Sequence, residues 1–188
     1  MLPIILALLF LAGCGIRPDL PPLAAAARSG RTDLIATLVK QGADPDAPAG
    51  GNGWTPLMHA IHKNQKHSVI ALLDAGAGVD ARGTDGMTPL MMAAGYGYTD
   101  IVNVLLDRGA DARIRLSDGE NALSLAVLGM PDIDRFTVAD CQAGTVQTLV
   151  RRVPGLRFIG PPGILRGITI AKVKACPGLA ELMAARNP

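Results

Sequence analysis

Apolar residues form two short runs between residues 86 and 111, and each run is bounded by residues that start or stop helices. The pair Thr88-Pro89 predicts the start of a first helix, because Thr can cap a first turn and Pro suits the first helical position. Glycines at positions 95 and 97 interrupt this run, and we expect Thr99 or Asp100 to cap a second helix. The apolar side of the second helix carries Ile101, Val102, Val104, Leu105 and Leu106.

The same pattern recurs along the chain with a period of 33 residues. Thr55-Pro56-Leu57 lies one period before Thr88-Pro89-Leu90, and Asn121-Ala122-Leu123 lies one period after it. An earlier copy, with one extra residue in its connection, runs from Pro21 to Asp44. Two short helices cannot bury their apolar sides alone, so they need copies of themselves stacked alongside. We therefore predict an all-α solenoid of about four helix-turn-helix units.

A 33-residue period with a Thr-Pro-Leu start and a Gly-Ala-Asp end resembles the ankyrin repeat, over residues 20 to about 155. The resemblance implies short hairpin loops between the repeats and a role in protein binding. The family usually has His directly after Thr-Pro-Leu, where it bonds to the Thr and to neighbouring loops. This chain has Met58, Met91 and Ser124 there, and His59 lies one residue later. We expect weaker polar bracing between repeats, with packing in compensation.

We expect four segments: a signal peptide (1–13), a tether (14–20), about four repeats (21–155) and an atypical C-terminal cap (156–188). The fourth repeat lacks Thr-Pro and carries an insertion near residues 130–144, which is either a partner-binding loop or a variable loop without a role. Its second helix is expected to begin at Thr145. Within the cap, residues 168–173 could be helix or strand, and we expect a last helix over residues 177–186.

The chain begins with an apolar run, MLPIILALLFLAGC, that is shorter than the roughly 20 residues needed to span a bilayer. Its length suits a secretory signal core. The last four residues, Leu11 to Cys14, resemble a bacterial lipobox, which implies cleavage before Cys14 and lipid attached to that cysteine. No Lys or Arg precedes the run, so an uncleaved anchor or a misplaced start codon is the alternative. With Gly15 next, the resemblance implies an envelope protein anchored by lipid, facing the periplasm, at the outer membrane.

Two cysteines remain once Cys14 carries lipid, namely Cys141 and Cys176. An even pair in an exported chain is usually a disulfide. We therefore predict a bond that joins the insertion to the C-terminal cap. Two buried thiols are the alternative.

Composition and motifs favour no catalytic chemistry, and we expect no enzyme, cofactor or metal. The formal net charge of +2 is too balanced to indicate nucleic-acid binding, and aromatic residues make up only 3% of the chain. No serine lies in a nucleophile-elbow pattern, and the aspartates at repeat ends suit turns. His59 and His62 share a helix face, but no Cys or carboxylate is placed to complete a zinc site. We interpret them, with His67, as polar surface.

The resemblance also implies a binding surface, since ankyrin repeats contact partners through hairpin tips and the ends of their first helices. When the family's contact positions are carried over residue by residue, the expected surface has an apolar centre and a polar rim. We expect Tyr96 to be exposed beside its two glycines, whereas Trp54 could instead pack on the next loop. We predict that Tyr96→Ala and Lys63→Glu weaken partner binding at a nearly unchanged Tm. The candidate residues are Trp54, Met87 and Tyr96 in the centre, His62, Lys63, Asp85 and Asp118 in the rim, and Thr84 at a tip. Asn52, Ser117 and Glu120 are further tip positions.

These inferences favour a membrane-tethered, periplasm-facing module that binds a protein and is itself monomeric. A narrower version is an inhibitor or immunity-type protein that neutralises one enzyme. The alternative is a structural or assembly factor of the cell envelope. A hydrolase or metal protein has no specific motif behind it.

Overall fold

The computed structural model describes residues 20–130 and 141–158. The predicted signal peptide, most of the tether, Cys14, Cys176, most of the insertion and most of the C-terminal cap lie outside these ranges. Eight helices lie within them, and none is long and apolar enough to cross a membrane. They are α1 (Pro22–Arg28), α2 (Thr32–Lys40), α3 (Pro56–His62), α4 (Lys66–Asp74), α5 (Pro89–Gly95), α6 (Thr99–Asp107), α7 (Ala122–Leu128) and α8 (Ala143–Arg152).

The first helices of the second, third and fourth repeats are capped as their motifs predict. The side chains of Thr55, Thr88 and Asn121 each accept a hydrogen bond from the backbone N–H three residues later, at 3.3, 3.2 and 3.0 Å. A proline follows each of the two threonines at the first helical position. These caps satisfy backbone donors that a helix cannot pair internally.

The predicted caps of the second helix in the third repeat are wrong. Thr99 and Asp100 are the first two residues of α6, and its N-cap is Tyr98, whose side chain makes no capping bond. The preceding turn supplies the acceptor instead, because Gly97 has a φ of 75° and its carbonyl oxygen accepts from the Thr99 N–H at 2.9 Å. The Thr99 hydroxyl is therefore available to the next repeat, where it lies 2.9 Å from the Thr145 hydroxyl.

The helices form two layers. The first helices of successive repeats pack on one another (α1, α3, α5 and α7), and the second helices form a parallel series behind them (α2, α4, α6 and α8). Met58 and Met91 are fully buried in the core between the layers, together with Ser124. Met58 and Met91 thus fill by apolar packing the position that the family gives to a bracing histidine. Ser124 instead donates a hydrogen bond from its hydroxyl to the Asn121 side chain at 3.2 Å.

The fourth repeat departs from the other three after α7. Gly129 has a φ of 72°, and the Met130 N–H donates to the Gly95 carbonyl of the preceding repeat at 2.9 Å. Where the chain is described again, the Gln142 N–H donates to the Ala126 carbonyl at 2.8 Å. Helix α8 begins at Ala143, two residues before the predicted Thr145. Both flanks of the insertion are therefore attached to the first-helix layer.

Candidate protein-binding surface

A tight turn precedes each of the three capped first helices. In these turns the N–H groups of residues 49, 83 and 116 donate to the carbonyl oxygens of Trp54, Met87 and Glu120, at 2.8, 3.0 and 2.8 Å. The three acceptor residues occupy the same position, directly before the helix cap. The side chains of Trp54 and Met87 are apolar, whereas that of Glu120 is acidic. The residue at this position therefore changes from apolar to acidic along the surface.

The tip residues Thr84, Asp85 and Asp118 are exposed, and the two aspartates stabilise their own turns. Asp85 accepts a hydrogen bond from the Met87 N–H at 3.0 Å, and Asp118 accepts one from the Glu120 N–H at 3.1 Å. Such carboxylate-to-backbone bonds are the usual reason for Asp in a turn. The carboxylates remain at the surface, where a partner could also reach them.

Thr84 connects two neighbouring turns. Its hydroxyl donates to the carbonyl oxygen of Asn52 at 2.8 Å, and its backbone N–H donates to the same oxygen at 3.3 Å. Asn52 belongs to the turn of the second repeat and Thr84 to that of the third. The two tips are therefore held in a defined relative position by hydrogen bonds as well as by the helices beneath them.

A row of rings crosses the second and third repeats, and we call it the aromatic row: Trp54, His59, His62, Tyr96 and Tyr98. The Trp54 ring centroid lies 5.6 Å from that of His59 and 5.2 Å from that of His62. The His62 ring is 5.7 Å from Tyr96, which is 5.5 Å from Tyr98. These separations are within the range in which aromatic side chains attract one another.

Tyr96 is half-buried, so the expectation that it is exposed is wrong. The turn at Gly97 places Tyr98 beside it, and its hydroxyl oxygen lies 3.1 Å from Nδ1 of His62. Trp54 is also half-buried, and its Cδ1 atom would be 3.2 Å from a Cβ atom at Gly83. Trp54 therefore packs against the turn of the next repeat, which was the structural alternative for this residue.

The three histidines differ in environment. His59 is only 4% exposed, and its Nε2 lies 3.2 Å from the Ala49 carbonyl oxygen. Its interpretation as polar surface is therefore wrong, because it braces the turn that precedes its own helix. His62 is half-buried and His67 is exposed. Among residues 20–130 and 141–158, no group of three His, Cys, Asp or Glu side chains could hold a metal ion.

Two family models match this chain. The model described as "Ankyrin repeats (3 copies)" matches residues 2–82, and the model described as "Ankyrin repeats (many copies)" matches residues 72–126. The described residues form an all-α solenoid of ankyrin repeats. The first match includes the segment for which we predict a signal peptide.

A mouse protein named ankyrin repeat and SAM domain-containing protein 6 is 41% identical to the chain over 61 residues. The matched segment is 32% of this chain and 7% of the mouse protein. The likeness therefore covers a small part of the mouse protein, and that protein's role does not carry over to this chain.

Among the candidate residues of these ankyrin repeats, the structure places Trp54, His62 and Tyr96 in one row. Lys63 follows His62 as the C-cap of α3 and is half-buried, as is Met87. His59 and Tyr98 also belong to the row, although sequence reasoning did not select them for this surface. A Tyr-Gly-Tyr sequence was the available signal for Tyr98, because the intervening glycine brings the two rings to the same side.

Glu120, which the repeat motif places at a turn tip, is not exposed there. It is largely buried directly before the cap of α7, at the position that Trp54 and Met87 occupy in the preceding repeats. Burial raises the pKa of its carboxyl group, and the nearby Asp118 carboxylate raises that pKa further.

The opposite layer presents charges that pair with one another along the solenoid. Lys66 lies 3.4 Å from Asp100, and Asp74 lies 2.8 Å from Arg108. Arg152 lies 2.6 Å from Asp107. These exposed pairs contribute about 0–1 kcal/mol each. They link second helices of successive repeats, whereas the aromatic row and the tips lie with the first helices and turns.

Proposed function

We propose that these ankyrin repeats bind a protein partner through the turns and the first-helix ends of the second, third and fourth repeats. The observation that carries the proposal is the aromatic row, which continues from the second repeat into the third beside exposed turn tips. Half-buried aromatic side chains with a polar rim are the arrangement in which interfaces concentrate their energy. The proposed contact residues are Trp54, His62, Lys63, Thr84, Asp85, Met87, Tyr96 and Asp118.

A matched pair of charge reversals tests the surface. Lys63→Glu changes a residue at the end of α3, whereas Lys40→Glu makes the same change in the last turn of α2, on an exposed position of the other layer. We expect the first to weaken partner binding and the second to leave it unchanged, with both proteins melting normally. Equal affinities for the two variants would place the partner on another surface, and the insertion would become the better candidate.

We further propose that the protein works in the bacterial envelope, anchored through lipid on Cys14 and facing the periplasm at the outer membrane. The lipobox-like residues support this proposal. We also propose that Cys141 forms a disulfide, a bond that persists in oxidising compartments such as the periplasm. We assign its partner as Cys176.

Two measurements test this setting. Mass spectrometry of protein from its native host should find an acylated Cys14 at the N-terminus, and an intact Met1 would contradict the anchor. Thiol titration of denatured, unreduced protein that lacks residues 1–13 tests the disulfide. It should find no free thiol, except that of Cys14 when its sulfur carries no lipid. Two further thiols would exclude the disulfide.

The narrower role that we propose is inhibition of, or protection against, one specific enzyme, by a monomer that is not itself an enzyme. The alternative is an assembly factor of the envelope. A pull-down with the mature chain distinguishes the two. One stoichiometric enzyme partner supports the inhibitor, whereas several envelope proteins support the assembly factor.

A further inference from the structure

The turn before α3 contains the only described asparagine that is followed by glycine. Its sequence is Gly50-Gly51-Asn52-Gly53, and Asn52 is exposed at the tip. Gly53 has no Cβ atom to shield its backbone nitrogen from the neighbouring side-chain amide. The other described asparagines, Asn64, Asn103 and Asn121, precede Gln, Val and Ala, so bulkier residues follow them.

We propose that Asn52 is a site of spontaneous modification, at which the side-chain amide is lost and part of the backbone becomes an isoaspartyl linkage. The backbone nitrogen of Gly53 attacks Cγ of Asn52, which forms a new N–Cγ bond and a five-membered succinimide ring. The Cγ–Nδ2 bond breaks, and ammonia leaves with the proton from the Gly53 amide. Water then opens the ring at either carbonyl, giving an aspartyl or an isoaspartyl residue. The sequence consumes one water, releases one ammonia and involves no oxidation.

The structure also indicates what restrains the reaction. The Gly53 N–H donates to the Gly50 carbonyl at 3.1 Å, and the Asn52 carbonyl oxygen accepts both hydrogen bonds from Thr84. The turn must therefore open before the nitrogen can attack. We expect the reaction at Asn52 to be slower in the folded protein than in denatured protein. Within the folded protein, we expect asparagines that are followed by larger residues to react more slowly than Asn52.

The product would change the proposed binding surface. An isoaspartyl residue adds one carbon to the backbone path and displaces the carbonyl oxygen that Thr84 binds. The tips of the second and third repeats would then lose the hydrogen bonds that link them. An aspartyl product retains the normal backbone and can keep those bonds, so the two products have different structural consequences.

Peptide mapping of the full-length protein after prolonged incubation at mildly alkaline pH tests the proposal. The peptide with residue 52 should gain about 1 Da, since OH replaces NH₂, and should separate into two products of equal mass. Peptides with Asn64 and Asn103 are internal controls, and Asn52→Gln should abolish the gain. An unmodified Asn52 peptide, in a sample whose denatured counterpart is modified, would overturn the proposal. Equal modification at all three asparagines would overturn it as well.

A comparison of the aged protein with the Asn52→Asp variant tests the structural consequence. The variant has the new charge without the altered backbone. We expect the isoaspartyl fraction to melt at a lower temperature than both the variant and the fresh protein. If all three melt together, the modification does not disturb the link to Thr84.

Discussion

Nδ1 of His62 lies 3.1 Å from the hydroxyl oxygen of Tyr96 in the next repeat. The two rings are tilted by 55° to one another, with their centroids 5.7 Å apart. This contact joins the ends of α3 and α5, where the sequence suggested two independent exposed side chains. Tyr96 therefore contributes to the stacking of the repeats as well as to the proposed surface.

The first prediction concerns this pair. Tyr96→Phe removes the hydroxyl and keeps the ring, and we expect a loss of about 0.5–1.5 kcal/mol in the free energy of unfolding. Tyr96→Ala also removes the ring contacts with His62 and Tyr98. The nearly unchanged Tm expected from the sequence is therefore replaced by a larger loss, about 1–3 kcal/mol. Urea denaturation of both variants checks this. An Ala variant as stable as wild type would show that the row has no structural role.

The second prediction concerns the link between turns. Thr84→Val removes the hydroxyl that donates to Asn52, and we expect a loss of about 0.5–1.5 kcal/mol. Ser117→Ala is the matched control, because Ser117 is an exposed hydroxyl residue at the corresponding place in the next turn. It should change the unfolding free energy by no more than about 0.5 kcal/mol, as surface substitutions do. Equal effects of the two substitutions would mean that the Thr84 bond adds no stability.

The third prediction is a pH dependence from Glu120. Its pKa is raised above the ordinary value of 4.5 by burial, and further by Asp118. The folded chain therefore holds this proton more tightly than the unfolded chain. The resulting stabilisation is complete below pH 4.5 and is lost as the pH rises through the raised pKa.

Glu120→Gln tests this dependence, because it cannot ionise. We expect the variant to melt above wild type at neutral pH, with the difference shrinking as the pH falls toward 4.5. Glu120→Met places the side chain of the equivalent Met87 there and should show the same trend. A wild-type protein that is more stable than both variants at neutral pH would reveal a favourable partner for the carboxylate.

The fourth prediction concerns Gly95, which ends α5 under the Met130 side chain. A Cβ atom at Gly95 would lie 2.6 Å from the Met130 sulfur, and the Met130 N–H donates to the Gly95 carbonyl. Gly95→Ala should therefore cost about 1–3 kcal/mol through overpacking. The double variant with Met130→Ala should lose less than the sum of the two single changes. Additive losses in this cycle would show that the two residues do not compete for space.

Much of the fold follows from local signals. The Thr-Pro pairs, the repeated glycines and the 33-residue period predict three of the four first helices with their caps and the stacking of units. These features are predictable because each cap involves residues only three apart in sequence. The predicted caps of α6 and the predicted start of α8 were wrong. A backbone turn supplies the acceptor before α6, and the hydroxyls of Thr99 and Thr145 pair between the two repeats.

The sequence by itself determined the repeat architecture and the places of the turns between the repeats. Only the tertiary structure decided which of those residues touch. His59 was assigned to the surface but braces a turn, Tyr96 was assigned to solvent but lies against His62, and Glu120 was assigned to a turn tip but is a buried acid. The physical reason is that burial of a side chain in a solenoid depends on the repeat beside it, and a periodic motif specifies the backbone of that neighbour more closely than its side chains.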